Sequence, residues 1–293
     1  MNREYVVYVA GGLANKMFHI SFGFHLQEKG YKVYFDDFSA SAEFEHDILS
    51  INKIFPQFEM ERMPFGLYKY GGLNTFKGKI LRRLPIFTKE KYVIAHGFDY
   101  NGDFVNNLPP KAYIIGPFQD ERYFPKDKNI LRRNFIFAEF EDNRNLDLQK
   151  EMEECNSIAI HIRKGDGYKT WPQFVGTCGK DYYENAIKYF MDRVINPKFY
   201  VFTDEPTVAK EYLNCINYKL IDWNPAVGYG NHFDMQLMAS AKNNIIANST
   251  YSWWAAWLNK HNNKIVIGPQ KWFNLTSDIK RQPEIIPNNW VKL

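Results

Sequence analysis

Residues 161–166 read His-Ile-Arg-Lys-Gly-Asp and close an alternating apolar strand over 157–162. Side chains along a strand alternate with period two, so Ile158, Ile160 and Ile162 share one face. His161 and Arg163 share the other. In open α/β sheets, ligands bind at the carboxyl ends of parallel strands, where these residues fall. A guanidinium is a rigid fork matched to phosphate oxygens. In a transfer that expels a nucleoside diphosphate, charge builds on the departing phosphate, and a preorganised arginine stabilises it. The same residues equally describe a surface strand end in which Arg163 pairs with Asp166.

Residues 248–254 read Asn-Ser-Thr-Tyr-Ser-Trp-Trp, where a buried strand gives way to a helix. Ser249, Thr250 and Ser252 can cap that helix. With Asn248 they can also present its N–H groups and dipole to an anion. Trp253, Trp254 and Trp257 fit core packing better than a sugar platform, since 253 and 257 lie at i and i+4 on one helical face. Near the start, Gly11 and Gly12 let the backbone approach a ligand. Asn15 and His19 follow one turn apart, although G-x-G-x-x-G is absent. His19 has the ordinary titration range of a general base. Asp204 and Asp234 end strands or open helices; each fits a helix cap, or an acceptor for the N1–H and N2–H₂ edge of guanine. No Asp-x-Asp occurs, and the adjacent Asp36 and Asp37 point to opposite faces. No metal is therefore expected.

The elements that must hold these residues read as an α/β chain. A strand over 5–10, a glycine turn, a helix ending near Gly30 and a strand over 31–35 open a Rossmann-like layer. Strands at 157–162, 199–203, 219–223, 245–247 and 265–267 alternate with helices, which implies a mostly parallel sheet covered on both faces. Asp181 is expected to cap a helix with Ala186, Ile187, Phe190, Met191 and Val194 on its apolar face. Two Rossmann-like domains facing a central cleft are expected, 1–150 on the acceptor side and 151–293 on the donor side. The last residues are expected to pack back on the first domain.

An apolar fraction of 45 % over 293 residues supplies a full core for two domains. A net charge of +4 is too mild to suggest a nucleic-acid partner. The odd cysteine count, Cys155, Cys178 and Cys215, fits no metal or redox spacing and points to reduced thiols in the cytoplasm. No run approaches the ~18 apolar residues of a membrane span. A basic stretch over 69–91 is a solvated loop or a platform for an acidic or membrane-associated acceptor, which makes peripheral contact with the inner membrane a hypothesis.

Several segments together resemble the bacterial α-1,2-fucosyltransferases of glycosyltransferase family 11. Gly11-Gly12-Leu13-x-Asn15-x-Met17-Phe18 is similar to their N-terminal signature. His161-x-Arg163-x-Gly165-Asp166 resembles H-x-R-R-G-D-Y, and Phe202-Thr203-Asp204 resembles F-S-D. The block from Asp234 to Leu258 is similar to their most specific one. The resemblance implies a GT-B-like fold, GDP-β-L-fucose as donor, inversion to an α-linkage, no required metal or other cofactor, and O2 of a terminal galactose on an oligosaccharide or glycolipid as the usual acceptor. It also implies that Arg163 holds the donor phosphates, with His161 and Asp166 as motif partners and Gly12, Asn15, Asp204, Asp234, Asn248, Ser249, Thr250 and Ser252 around the donor. Lys164 and Gly167 depart from the pattern, where Arg and Tyr are usual. Another GDP-sugar, or a non-catalytic glycan-binding role, is the competing reading.

Overall fold

A computed structural model describes residues 3–37, 51–62 and 92–293, apart from the side chain of Asp166. The chain forms two compact units, Met1–Ala138 and Glu139–Leu293. The basic stretch over 69–91 lies outside the described residues.

In the first unit, β1 (Glu4–Tyr8), α1 (Leu13–Glu28) and β2 (Lys32–Asp36) form the expected opening. With β3 (Tyr92–Ile94) and β4 (Lys111–Ile115) they build a sheet of order β2-β1-β4-β3, parallel at every pairing. Gly11, at φ 77°, turns the chain from β1 into α1 in a conformation that other residues rarely adopt. α1 is buried around most of its circumference, including Met17, Phe18, Phe22 and Leu26. It is therefore a core helix rather than an amphipathic one. It lies so close to the sheet that a Cβ on Gly23 would sit 2.2 Å from the Phe35 ring.

The second unit holds β5 (Ser157–Ile162), β6 (Lys198–Thr203), β7 (Tyr218–Ile221), β8 (Asn243–Ile245), β9 (Val266–Gly268) and β10 (Val291–Lys292). Their order is β10-β9-β8-β5-β6-β7, again parallel throughout. The chain runs outward from β5 to β7, then returns to add β8, β9 and β10 on the other side. The switch point falls between β5 and β8, so a crevice is expected beyond their carboxyl ends.

β5 is buried along its whole length, as a central strand covered on both faces must be. Ile158, Ile160 and Ile162 pack with Tyr183, Ala186, Ile187 and Phe190 of the helix Lys180–Met191. Each of the isoleucines and Phe190 contributes roughly 1.5–3 kcal/mol by leaving water. Met191 does not join that face: it is 54 % exposed, and Tyr183 completes the stripe instead. Gly179, not Asp181, occupies the N-cap, and Asp181 sits within the first turn. The strand expected at 245–247 begins earlier, because the buried Asn243 and Asn244 belong to it. Their amides are satisfied internally: Asn243 Oδ1 accepts from Ile265 N–H at 2.9 Å, and Asn244 Nδ2 donates to Met238 O at 2.8 Å. Trp253, Trp254 and Trp257 are core residues. Trp253 Nε1 donates to Ile285 O at 2.8 Å, and its ring packs on Trp290. The last residues, through β10, extend the second sheet.

Candidate functional site

The centre of the second unit's carboxyl edge is a turn braced by one carboxylate. Ile162 is in register with Thr203, so the next residues of each strand, Arg163 and Asp204, emerge side by side. Asp204 Oδ1 accepts from Lys164 N–H at 2.8 Å, and Oδ2 accepts from Gly165 N–H at 2.8 Å. Oδ2 also lies 3.1 Å from Arg163 Nη1. Arg163 therefore pairs with Asp204. Asp204 is not the cap of the helix Pro206–Tyr212, whose N-cap is Glu205. A guanidinium has five N–H donors, so one ion pair leaves most of the fork available, and the side chain is 48 % exposed.

Lys164 does not share that role. Its ammonium donates to the carbonyl of Thr177 and so fastens the loop that follows the motif. Asp166 opens a short helix, Asp166–Thr170. Tyr168, which sequence reasoning passed over, lies with its ring 5.9 Å from the Arg163 guanidinium, and its hydroxyl donates to Asn248 O at 2.7 Å. The two motifs are thereby tied across the switch point between β5 and β8.

Asn248 is a pillar of this arrangement. Its buried Nδ2 donates to Thr177 Oγ1 and Trp272 O, both at 2.9 Å, and its Oδ1 accepts from Cys178 Sγ at 3.4 Å. Both amide hydrogens are thus spent on the scaffold. Ser249 is the N-cap of the helix Thr250–Leu258 but makes no side-chain capping bond. Its hydroxyl lies near the Tyr168 phenol. Ser252 is buried and turns its hydroxyl back to Ser249 O at 3.3 Å. What this helix presents at its start is therefore mainly main-chain N–H and dipole, the chemistry of an anion site.

His161 is buried, and among the described residues its Nδ1 has no hydrogen-bond partner. Burial and then the neighbouring Arg163 charge lower its pKa to about 4, so the ring is neutral at pH 7. It packs 5.9 Å from Tyr251, whose hydroxyl accepts from Met235 N–H at 2.8 Å and donates to Asn231 O at 2.7 Å. Tyr251 thus joins β5 to the helix Phe233–Ser240. Asp234 lies in that helix's first turn, with His232 as the N-cap. Burial raises the Asp234 pKa to about 6, while a hydrogen bond from Asn224 Nδ2 at 2.8 Å opposes the shift. Asn224 is in turn held by Asn145, and Asn145 by Asp142. Asn145 is 2 % exposed, which singles it out only once the fold is known.

The first unit carries the other expected residues at its own carboxyl edge. Gly12 is the N-cap of α1, and Asn15 Oδ1 accepts from Gln119 Nε2 at 3.1 Å. His19 is buried, its Nδ1 accepts from Ala10 N–H at 3.2 Å, and burial lowers its pKa to about 4. The nitrogen that would take a proton is spent on the backbone. Asp36 accepts from Tyr113 OH at 2.6 Å, and Asp37 pairs with Arg62 at 3.1 Å, so both acids of that dipeptide are engaged. Among the described residues no group of three or more His, Cys, Asp or Glu is placed to hold a metal ion, and no helix is long and apolar enough to cross a membrane.

The family description "Glycosyl transferase family 11" matches residues 16–293. The chain is also 31 % identical to an alpha-1,2-colitosyltransferase of Escherichia coli, over 98 % of each chain. The chain belongs to glycosyl transferase family 11. The O-antigen biosynthesis glycosyltransferase WbnK of Escherichia coli is a second relative, 31 % identical over 97 % of this chain and 99 % of that one. Among solved structures, NodZ alpha-1,6-fucosyltransferase co-crystallized with GDP matches 88 % of this chain and 93 % of its own, with a TM-score of 0.50 at 13 % identity. A variant of Arabidopsis thaliana FUT1 in complex with GDP matches 91 % of this chain and 70 % of its own, with the same score and identity. The family 11 chain therefore has the GT-B-like α/β fold of fucosyltransferases, built on parallel sheets.

Proposed function

We propose that this family 11 protein moves L-fucose from GDP-β-L-fucose to O2 of a terminal galactose on a glycan acceptor, with inversion and without a metal. One observation carries the reading. Arg163, braced by Asp204, stands beside the start of the helix Thr250–Leu258 at the switch point of a doubly wound sheet. That arrangement suits a pyrophosphate. The acceptor oxygen attacks the anomeric carbon from the side opposite GDP, and the bond to the β-phosphate breaks. GDP leaves with the electron pair, which Arg163 and the helix amides stabilise. The acceptor proton passes to a base that we leave unassigned, since the accepting nitrogen of His19 is occupied. In this reading the cation and the amides take over the charge stabilisation that a divalent ion would otherwise supply.

The GDP carried by the two fucosyltransferase structures supports the nucleotide, and the alpha-1,2 linkage in the first relative's name supports attack by O2. That same name gives a second donor reading, GDP-colitose, since colitose is fucose without its 3-hydroxyl. The relative named for O-antigen biosynthesis supports a surface glycan as acceptor and a cytoplasmic reaction at the inner membrane.

Calorimetric titration with GDP is the first test, because a glycan-binding protein without transferase activity has no use for the nucleotide. Turnover is then compared with GDP-fucose, GDP-colitose and GDP-mannose in excess chelator. Binding of GDP and preference for GDP-fucose are expected. No GDP binding, a preferred second donor, or a loss restored only by metal would overturn the corresponding part.

A further inference from the structure

Of the seven tryptophans in the chain, five are buried, at 7 % exposure or less. A sixth, Trp223, is half-buried, donates to Asn145 and lies under Arg144. Trp171 differs: it is 56 % exposed. Nor is it a scattered apolar residue of the kind any surface carries. Val175 and Leu275, also exposed, belong to the same pair of loops. Asn274 sews those loops together, its N–H donating to Gln173 O and its Nδ2 to Pro172 O and Val175 O.

The indole is backed by a column of rings. Trp171 stacks on Phe174 with centroids 5.9 Å apart, and Phe174 stacks on Tyr168 at 4.6 Å. Tyr168 neighbours the Arg163 guanidinium at 5.9 Å and is bonded to Asn248. The exposed ring is thus rigidly coupled to the phosphate-binding arginine and displaced from it by a few ring widths. Two residues before the indole, Lys169 pairs with Glu205. An exposed aromatic face suits a pyranose, whose axial C–H groups pack on the ring while its hydroxyls remain hydrogen-bonded.

We propose that Trp171 is an acceptor subsite: a platform for a sugar ring of the glycan next to the one that receives the transferred residue. This rests on the transferase reading above. Gly167 fits the same purpose. A Cβ there would lie 3.7 Å from the indole, in ordinary contact, so a long side chain at 167 would be laid against that ring. A tyrosine side chain at 167 would crowd the platform that glycine leaves clear.

The test compares wild type with Trp171→Ala, Trp171→Phe and Gly167→Tyr. KM is measured for N-acetyllactosamine and for methyl β-galactoside with GDP-fucose as donor, and GDP affinity by calorimetry. Trp171→Ala is expected to raise the KM for the disaccharide by about tenfold, the size of one lost ring stack, and to leave that for the monosaccharide glycoside within about twofold. Trp171→Phe should retain most of the disaccharide preference, and Gly167→Tyr should lose it. GDP affinity should not move in any variant. An unchanged disaccharide KM in Trp171→Ala, or a loss of GDP affinity matching the loss in KM, would overturn the platform. Should wild type neither bind GDP nor transfer fucose, the transferase reading fails separately. The platform is then judged on a printed glycan array, where equal signals from wild type and Trp171→Ala, including none from either, end it.

Discussion

Asp204 Oδ2 lies 3.1 Å from Arg163 Nη1 and accepts from Gly165 N–H at 2.8 Å, so one oxygen holds both the cation and the turn that carries it. Arg163 is half open to water, and the pair's direct contribution to stability is small, on the order of 0–1 kcal/mol. Its value is positional. In the proposed reaction, a guanidinium fixed before the donor arrives would not have to be ordered during transfer.

Arg163→Ala should therefore abolish transfer while leaving the fold intact. We expect turnover to fall by about 10³-fold, in line with the loss of a donor to a developing oxyanion, and Tm to stay within about 2 °C of wild type. Near-normal turnover would remove Arg163 from the phosphate. A collapse of Tm would show that the residue is structural. Lysine at 163 should restore only part of the rate, since it keeps the charge and loses the fork.

Gly165 is required here for space, not for an unusual backbone angle, since its φ of −64° is open to any residue. A Cβ at 165 would meet Asp204 Oδ2 at 2.3 Å, and that oxygen is tied to two other groups. Gly165→Ala should push the carboxylate away and release Arg163. About a tenfold loss of GDP affinity is expected in calorimetry, with the far-ultraviolet spectrum unchanged. Affinity equal to wild type would mean that Asp204 is not what positions the cation.

Much of this was legible in the chain alone, and the limits have physical causes. Alternation along 157–162 and helical spacing from Asp234 to Leu258 are local, and they located Arg163 and the helix start beside it. The partner of Arg163 was not legible, because Asp166 is near in sequence while Asp204 arrives only through the Ile162–Thr203 register. Polar residues hid structure where they are buried: the strand expected at 245–247 left out Asn243 and Asn244, and nothing in the sequence marked Asn145 for burial. The role of Asn248 was blurred differently, since a residue that supports a site and one that touches a ligand carry the same side chain. Which tryptophan is exposed also depends on tertiary packing. Three indoles in the most recognisable block are buried, and the open one lies in an unremarkable loop.

Three buried histidines should make the protein sensitive to acid. Burial lowers the pKa of His19, His161 and His232 to about 4, against 6.5 when unfolded. The unfolded chain therefore binds protons that the folded chain refuses. Stability is intact above pH 6.5 and is lost as pH falls toward 4, at up to about 1.4 kcal/mol per histidine per pH unit. Asp234 opposes this with the reverse sign, one group against three. Calorimetric scans should show Tm dropping steadily between pH 7 and pH 5. A flat profile over that interval would mean that these rings accept protons without unfolding.

Asp234 allows the site itself to be read by pH. Its carboxyl has a pKa of about 6, raised by burial. The folded protein thus favours the protonated form, and the stabilisation this brings is fully present below pH 3.8 and lost as pH rises through 6. Asp234→Asn, which keeps an oxygen for Asn224 Nδ2, should be more stable than wild type at pH 8 and lose that advantage at pH 4.5. If the ionised carboxylate accepts the N–H edge of guanine, GDP should bind wild type more weakly as pH falls through 6. The phosphate of GDP also takes up a proton near pH 6, but it does so equally with both proteins. The difference between wild type and Asp234→Asn therefore isolates the side chain: a wide gap in affinity at pH 8 that closes by pH 5. A gap independent of pH would leave Asp234 as a helix residue with no part in reading the base.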